Sequence, residues 1–160
     1  MPTMIGETIP DIECPATGGQ TIRLSDYRGR NLVLYFYPKA GTPGCTQEGL
    51  DFSAAADDFA SVGTAILGAS RDSLKAQENF KAKQGFPFDL LADQDETLCR
   101  AFAVIRLKKL YGRESLGVER STFLIDAEGV LRREWRGVKV KGHVEEVLTA
   151  VRELASNRQD

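Results

Sequence analysis

Leu32-Val33-Leu34-Tyr35-Phe36-Tyr37-Pro38-Lys39-Ala40-Gly41-Thr42-Pro43-Gly44-Cys45 is the stretch that decides the architecture. Residues 32–37 form an unbroken apolar run that reads as a buried strand. Pro43 and Gly44 then open a helix that starts at or just before Cys45. A cysteine in the first turn of a helix faces unpaired backbone N–H groups and the positive end of the helix dipole. Both favour the thiolate, the form of sulfur that attacks electrophiles. The chain therefore carries one activated sulfur at a strand-to-helix turn.

Outward from this turn, strands and helices alternate. Phe52, Ala55, Ala56, Phe59 and Val62 recur at helical spacing, and Gly63 ends that helix. Thr64 to Ser70 reads as a second buried strand, and Asp72-Ser73 as the cap of a helix over 73–84. Phe88 to Leu91 is a short strand, and Leu98, Ala101 and Phe102 mark one face of a brief helix. Ser121 to Asp126 and Val130 to Arg136 are strands about the turn Ala127-Glu128-Gly129. Val144, Val147, Leu148, Val151 and Leu154 give the clearest amphipathic helix. Upstream, the Gly18-Gly19 turn leads into a short strand at Thr21 to Leu24, and Ser25 to Gly29 makes a further turn. The order β–α–β–α–β–α–β–β–α predicts an α/β fold in which Cys45 sits at the C-terminal edge of a central strand, where open sheets bind ligands.

At 160 residues the expectation is one domain over 1–160, long enough to bury a core without staples. Charged residues make up 28 % and the formal net charge is −2, so no basic field points to nucleic acid or to an anionic membrane. The longest apolar run is too short to span a bilayer. Residues 1–20 hold Glu7, Asp11 and Glu13 without a basic start or apolar stretch, so no secretory signal is read and a cytoplasmic location is the default. Cys14, Cys45 and Cys99 form no C-x-x-C pair and no disulfide scaffold. The only histidine, His143, has no ligand at helical spacing and reads as a solvated or capping residue at a helix start, so neither a metal site nor a His-activated thiol is expected.

These residues closely resemble the peroxiredoxins, thiol peroxidases of thioredoxin-like fold, with a mixed central sheet flanked by helices and an N-terminal β extension. The family pattern Pro-x-x-x-Thr-x-x-Cys is met by Pro38, Thr42 and Cys45. Tyr35-Phe36-Tyr37-Pro38-Lys39 and Thr42-Pro43-Gly44-Cys45-Thr46-Gln47-Glu48-Gly49 are similar to the bacterioferritin-comigratory, or peroxiredoxin Q, branch. So are Gly68-Ala69-Ser70-Arg71-Asp72-Ser73 and Glu119-Arg120-Ser121-Thr122-Phe123-Leu124-Ile125-Asp126, and the likeness runs from about residue 5 to 150. The resemblance implies that Cys45 is the peroxidatic nucleophile, that Thr42 bonds the incoming peroxide and that Pro38 shields the thiolate. It further implies that Arg120 brings a guanidinium beside the sulfur, that the Gly44 and Cys45 N–H groups complete the donor set, and that Glu48 holds Arg120. No metal, haem or flavin is implied. The implied substrates are hydrogen peroxide and small organic hydroperoxides. The implied reductant is a thioredoxin, a glutaredoxin or glutathione, and the implied state is a monomer or weak homodimer.

Two slots that hold a resolving cysteine in many members of the branch carry Leu50 and Lys81 here. The preferred reading is therefore one-cysteine chemistry with an external thiol reductant. Cys99, beside Leu98 and Phe102, reads as a small packed hydrophobe, and Cys14 lies in the N-terminal segment; both stay open as candidate resolving residues. Two rivals remain. A thiol–disulfide oxidoreductase of the same fold would need C-x-x-C, and Thr42 stands in the first cysteine's place. A non-enzymatic chaperone module would not need Thr42, Cys45 and Arg120 together.

Overall fold

The computed structural model describes residues 2–158; Met1, Gln159 and Asp160 of the expected 1–160 domain lie outside the described residues. In chain order the elements are β1 (Glu13–Ala16), β2 (Gln20–Arg23), a 3-10 turn (Leu24–Tyr27), β3 (Asn31–Phe36), α1 (Pro43–Ser61), β4 (Thr64–Ser70) and α2 (Leu74–Gln84). There follow β5 (Asp89–Ala92), α3 (Thr97–Ala101), β6 (Ile105–Leu110), β7 (Arg113–Val118), β8 (Ser121–Ile125), β9 (Leu131–Arg136) and α4 (His143–Arg158). Seven strands make one mixed sheet in the order β2-β1-β5-β4-β3-β8-β9, and β6-β7 make a separate two-stranded sheet.

β3 lies near the middle of the sheet, parallel to β4 and antiparallel to β8. All six of its residues are buried, which is why its sequence is continuously apolar rather than alternating. The strand period of two still sorts its side chains. Leu32, Leu34 and Phe36 enter one core, with Cys14, Leu98, Cys99 and Phe102. Val33, Tyr35 and, just past the strand end, Tyr37 enter the other, with Phe52 and Phe59 of α1, Phe80 of α2 and Val147 and Val151 of α4. The helices α1, α2 and α4 thus cover one face, and α3 with the N-terminal segment covers the other. Among the described residues no helix is long and apolar enough to cross a membrane.

The expected elements are all present, with ends moved by a residue or a few. Two features carry no local pattern of their own. β1, part of the N-terminal β extension that the resemblance implied, has the short, mixed sequence Glu-Cys-Pro-Ala, and it pairs antiparallel with both β2 and β5. The β6-β7 hairpin is polar and largely exposed along β7, so no burial pattern marks it. The helix boundaries follow local chemistry. Ser73 caps α2 by accepting from Ala76 N at 3.1 Å, and Gly85 closes it in the left-handed region at φ 71°.

Candidate active site

Thr42 is the N-cap of α1, Pro43 occupies the first helical position, and Cys45 falls at the third. The Thr42 hydroxyl does not cap the helix. It donates backwards to the Lys39 carbonyl at 2.7 Å, which spends its proton and leaves its lone pairs to accept. The first-turn N–H groups of Gly44 and Cys45 are therefore not covered by a side-chain cap. Cys45 is buried, at 1 % exposure, in the core that contains Tyr35, Tyr37 and Phe52. Pro38, half-buried, follows directly on Tyr37 and begins the loop that leads to Cys45.

Arg120 arrives from 75 residues away because β8 runs antiparallel to β3, in a register that pairs Ser121 with Phe36. The residue before Ser121 therefore lies at the strand end from which the Cys45 loop departs. Its backbone is held there by Glu119 N donating to Val104 O at 2.7 Å and Val138 N donating to Arg120 O at 2.9 Å. The guanidinium fork is divided: Nη2 donates to Cys45 Sγ at 3.4 Å, and Nη1 donates to Glu48 Oε1 at 2.8 Å. Gly44 makes room for it, since a Cβ at that position would stand 3.1 Å from Nη2.

Glu48, one turn along α1 from the sulfur, is fully buried, and its Oε2 has no hydrogen-bond partner among the described residues. Loss of water pushes its carboxyl up to about 7, and the facing Arg120 guanidinium offsets only part of that. Burial also opposes the Arg120 cation, but the Glu48 carboxylate and the Cys45 sulfur outweigh it and hold Arg120 above its ordinary value. The two partners differ because Glu48 has no exposed surface whereas the Arg120 side chain keeps 16 % of its own.

A buried polar network that the sequence did not announce ties the loop to the sheet. Ala40 N donates to Asp72 Oδ2 at 2.8 Å, and Ser70 Oγ donates to the same oxygen at 2.6 Å. Gln77 Nε2 reaches Ser70 Oγ at 2.9 Å and the Leu91 carbonyl at 2.7 Å, while Tyr37 OH donates to Gln77 Oε1 at 2.6 Å. The available signal was spacing: Gln77 stands three residues before Phe80, on the buried face of α2.

His143 is neither solvated nor a cap, contrary to the sequence expectation. It is buried, its Nε2 lies 2.8 Å from Thr122 Oγ1, and its ring packs edge-on against Phe52 and Trp135. Burial holds its pKa down at about 4. The helix start is a poor predictor here because α4 is pressed onto the sheet from its first residue.

Cys14 and Cys99 lie in the core on the opposite face of the sheet from Cys45. All three thiols are free. Burial, reinforced by the charges of Asp93 and Asp95, pushes Cys14 up to about 12. Cys99 is pushed up by burial and by the Asp93 carboxylate, which also accepts from the Cys99 backbone N–H at 2.7 Å. Leu50 is partly exposed on α1, and Lys81 pairs with Asp89 at 2.8 Å.

The AhpC/TSA family pattern matches residues 5–134. Peroxiredoxin Bcp of Xanthomonas campestris is 53 % identical over 142 residues, 89 % of each chain. Peroxiredoxin Bcp of Bacillus subtilis is 49 % identical over 151 residues, 94 % of this chain and 96 % of its own. The solved structure of the Xanthomonas campestris bacterioferritin comigratory protein superposes with a TM-score of 0.88 at 47 % identity, over 93 % of this chain and 99 % of that one. Fold and site together define a thiol-dependent peroxidase of thioredoxin-like fold. The chain belongs to the AhpC/TSA family, within its peroxiredoxin Bcp, or peroxiredoxin Q, branch.

Proposed function

We propose that Cys45 is the peroxidatic nucleophile of a one-cysteine peroxidase acting on hydrogen peroxide and small organic hydroperoxides. The observation that carries this reading is the divided Arg120 fork, with one nitrogen on the buried sulfur and the other on Glu48. The thiolate attacks the terminal oxygen of the hydroperoxide, the O–O bond breaks, and the departing alkoxide or hydroxide takes up a proton. Cys45 is left as a sulfenic acid. Negative charge grows on the leaving oxygen, and the Arg120 guanidinium with the first-turn N–H groups of Gly44 and Cys45 supplies donors for it. The Thr42 hydroxyl, its own proton committed to Lys39, accepts from the peroxide O–H and orients it. Pro38 keeps water and bulky oxidants from the sulfur, and Glu48 positions Arg120. A small-hydroperoxide substrate is supported by the Xanthomonas relative, whose structures were obtained as trapped intermediate and ligand complexes for its alkyl peroxide reduction activity.

The sulfenic acid then condenses with an external thiol, releasing water and forming a mixed disulfide that a second thiol opens. Glutathione, a glutaredoxin or a thioredoxin fits this role. The reading is supported by the placement of Cys14 and Cys99 across the sheet and by the absence of a thiol at positions 50 and 81. It includes a cytoplasmic setting, where reduced thiols persist, and a single 1–160 domain acting as a monomer or weak homodimer.

Cys45→Ser is expected to abolish peroxide consumption. Mass spectrometry after one equivalent of hydrogen peroxide is expected to show one added oxygen at Cys45. A Cys45–Cys14 or Cys45–Cys99 linkage instead would overturn the one-cysteine reading.

A further inference from the structure

We infer that the β6-β7 hairpin is a docking arm for the reductant, and that this reductant is a protein dithiol with an acidic surface around its thiols. The inference rests on the one-cysteine reading above. Its starting point is that, among the described residues, the strands of the arm pair only with each other and that its surface is unusual for a free hairpin.

Directly opposed residues of an antiparallel pair share a face. From base to tip one face therefore reads Ile105 with Val118, Leu107 with Leu116, and Lys109 with Glu114. The first pair is anchored in the core, the last is an ion pair at 3.3 Å, and the leucines between them are 57 % and 59 % exposed. At the tip, Tyr111 and Gly112 take φ values of 53° and 75°. A two-residue turn of this hand favours Asn, Asp or Gly, and a tyrosine there is strained. Tyr111 is nevertheless 94 % exposed. A strained, solvated aromatic at the tip and an exposed leucine pair further down the arm gain nothing for the isolated chain, and aromatic anchors of this kind dominate protein interfaces.

The charge selects the partner. Arg106, Lys108, Lys109 and Arg113 against Glu114 give the arm a net charge of +3 in a chain of formal charge −2. Cations along both strands of a free hairpin discourage pairing with a second like arm, so a second copy is the disfavoured occupant. A partner with negative charge around an apolar centre is the complementary one.

The position ties the arm to the sulfur. β7 leads through Glu119 directly into Arg120. Arg71 Nη2 donates to the Leu116 carbonyl of the arm at 3.4 Å, and Arg71 precedes Asp72, which holds the Ala40 N–H of the catalytic loop. Arm and loop therefore share one anchor. A cysteine only 1 % exposed, with no second thiol in its core, needs a reductant seated close beside it.

The test compares the intact protein with Tyr111→Ser, Leu107→Ser/Leu116→Ser and Lys109→Glu/Arg113→Glu, under hydrogen peroxide. An acidic thioredoxin and, separately, dithiothreitol serve as reductants. The expected result is a KM for thioredoxin raised about tenfold or more in each variant, since interface anchors carry that much. The wild-type KM is expected to rise with added salt. Oxidation of Cys45 in a single turnover and turnover with dithiothreitol stay at wild-type values. The inference is overturned by an unchanged thioredoxin KM. Equal losses with dithiothreitol, or a change of oligomeric state with thioredoxin kinetics intact, overturn it too. So does a wild type that turns over with dithiothreitol but not with thioredoxin. Wild-type protein that consumes no peroxide with either reductant would instead sink the peroxidase reading.

Discussion

Glu48→Gln gives a sign-definite test of the site's electrostatics, best made in a Cys45→Ser background so that no thiol adjoins the Arg120–Glu48 pair. The Glu48 carboxyl is fully buried against Arg120, with Asp51 nearby, and stands at about 7 rather than its ordinary 4.5. Between those values the folded state binds a proton that the unfolded chain has released, so stability falls as pH rises through the window. The contribution is fully present below 4.5 and gone once pH passes the folded value. At about 1.4 kcal/mol per pH unit the displacement corresponds to about 3 kcal/mol. Glutamine keeps the Oε1 acceptor for Arg120 but cannot titrate, and every other group, His143 included, is common to both proteins and cancels. Urea unfolding across roughly pH 5 to 8 should therefore show the protein that retains Glu48 losing most of about 3 kcal/mol relative to the Glu48→Gln variant. That is a relative midpoint shift of about 1 to 3 M. A stability difference that stays flat over this range would refute the argument that lost hydration outweighs the ion pair.

Other outcomes follow from the same contacts. Arg120→Ala removes the donor 3.4 Å from the sulfur and should slow peroxide reaction by about 10²- to 10³-fold in stopped-flow kinetics; an unchanged rate would remove Arg120 from the mechanism. Gly49→Ala gains about 1 kcal/mol in helix propensity but drives a Cβ into the Phe86 ring, with Cε1 at 2.8 Å. Overpacking of about 1–3 kcal/mol should win, and the sign can be read from the urea midpoint. Tyr37→Phe leaves Gln77 Oε1 buried without its 2.6 Å donor and should cost about 1–3 kcal/mol, while the Gln77 contacts to Ser70 and Leu91 persist. A neutral result would show that water can replace the phenol.

The strand-to-helix turn at Cys45, the α/β order and the helical faces were legible in the sequence because they depend on neighbours a few residues apart: a run buried on both faces, a proline at the first helical position, a period of 3.6. Glu48 could be placed one turn from the sulfur for the same reason. Arg120 could be nominated only by resemblance, since no local pattern joins residues 45 and 120. Their contact exists because β8 runs antiparallel to β3 in one particular register. The burial of His143 and the joining of Gln77, Ser70, Asp72 and Tyr37 are likewise products of packing, as a polar residue carries no mark of which water it will lose. The same holds for the three cysteines. Sequence counts them, but only the sheet between them separates Cys45 from Cys14 and Cys99, because which face a side chain enters is set by the register of strands distant in the chain.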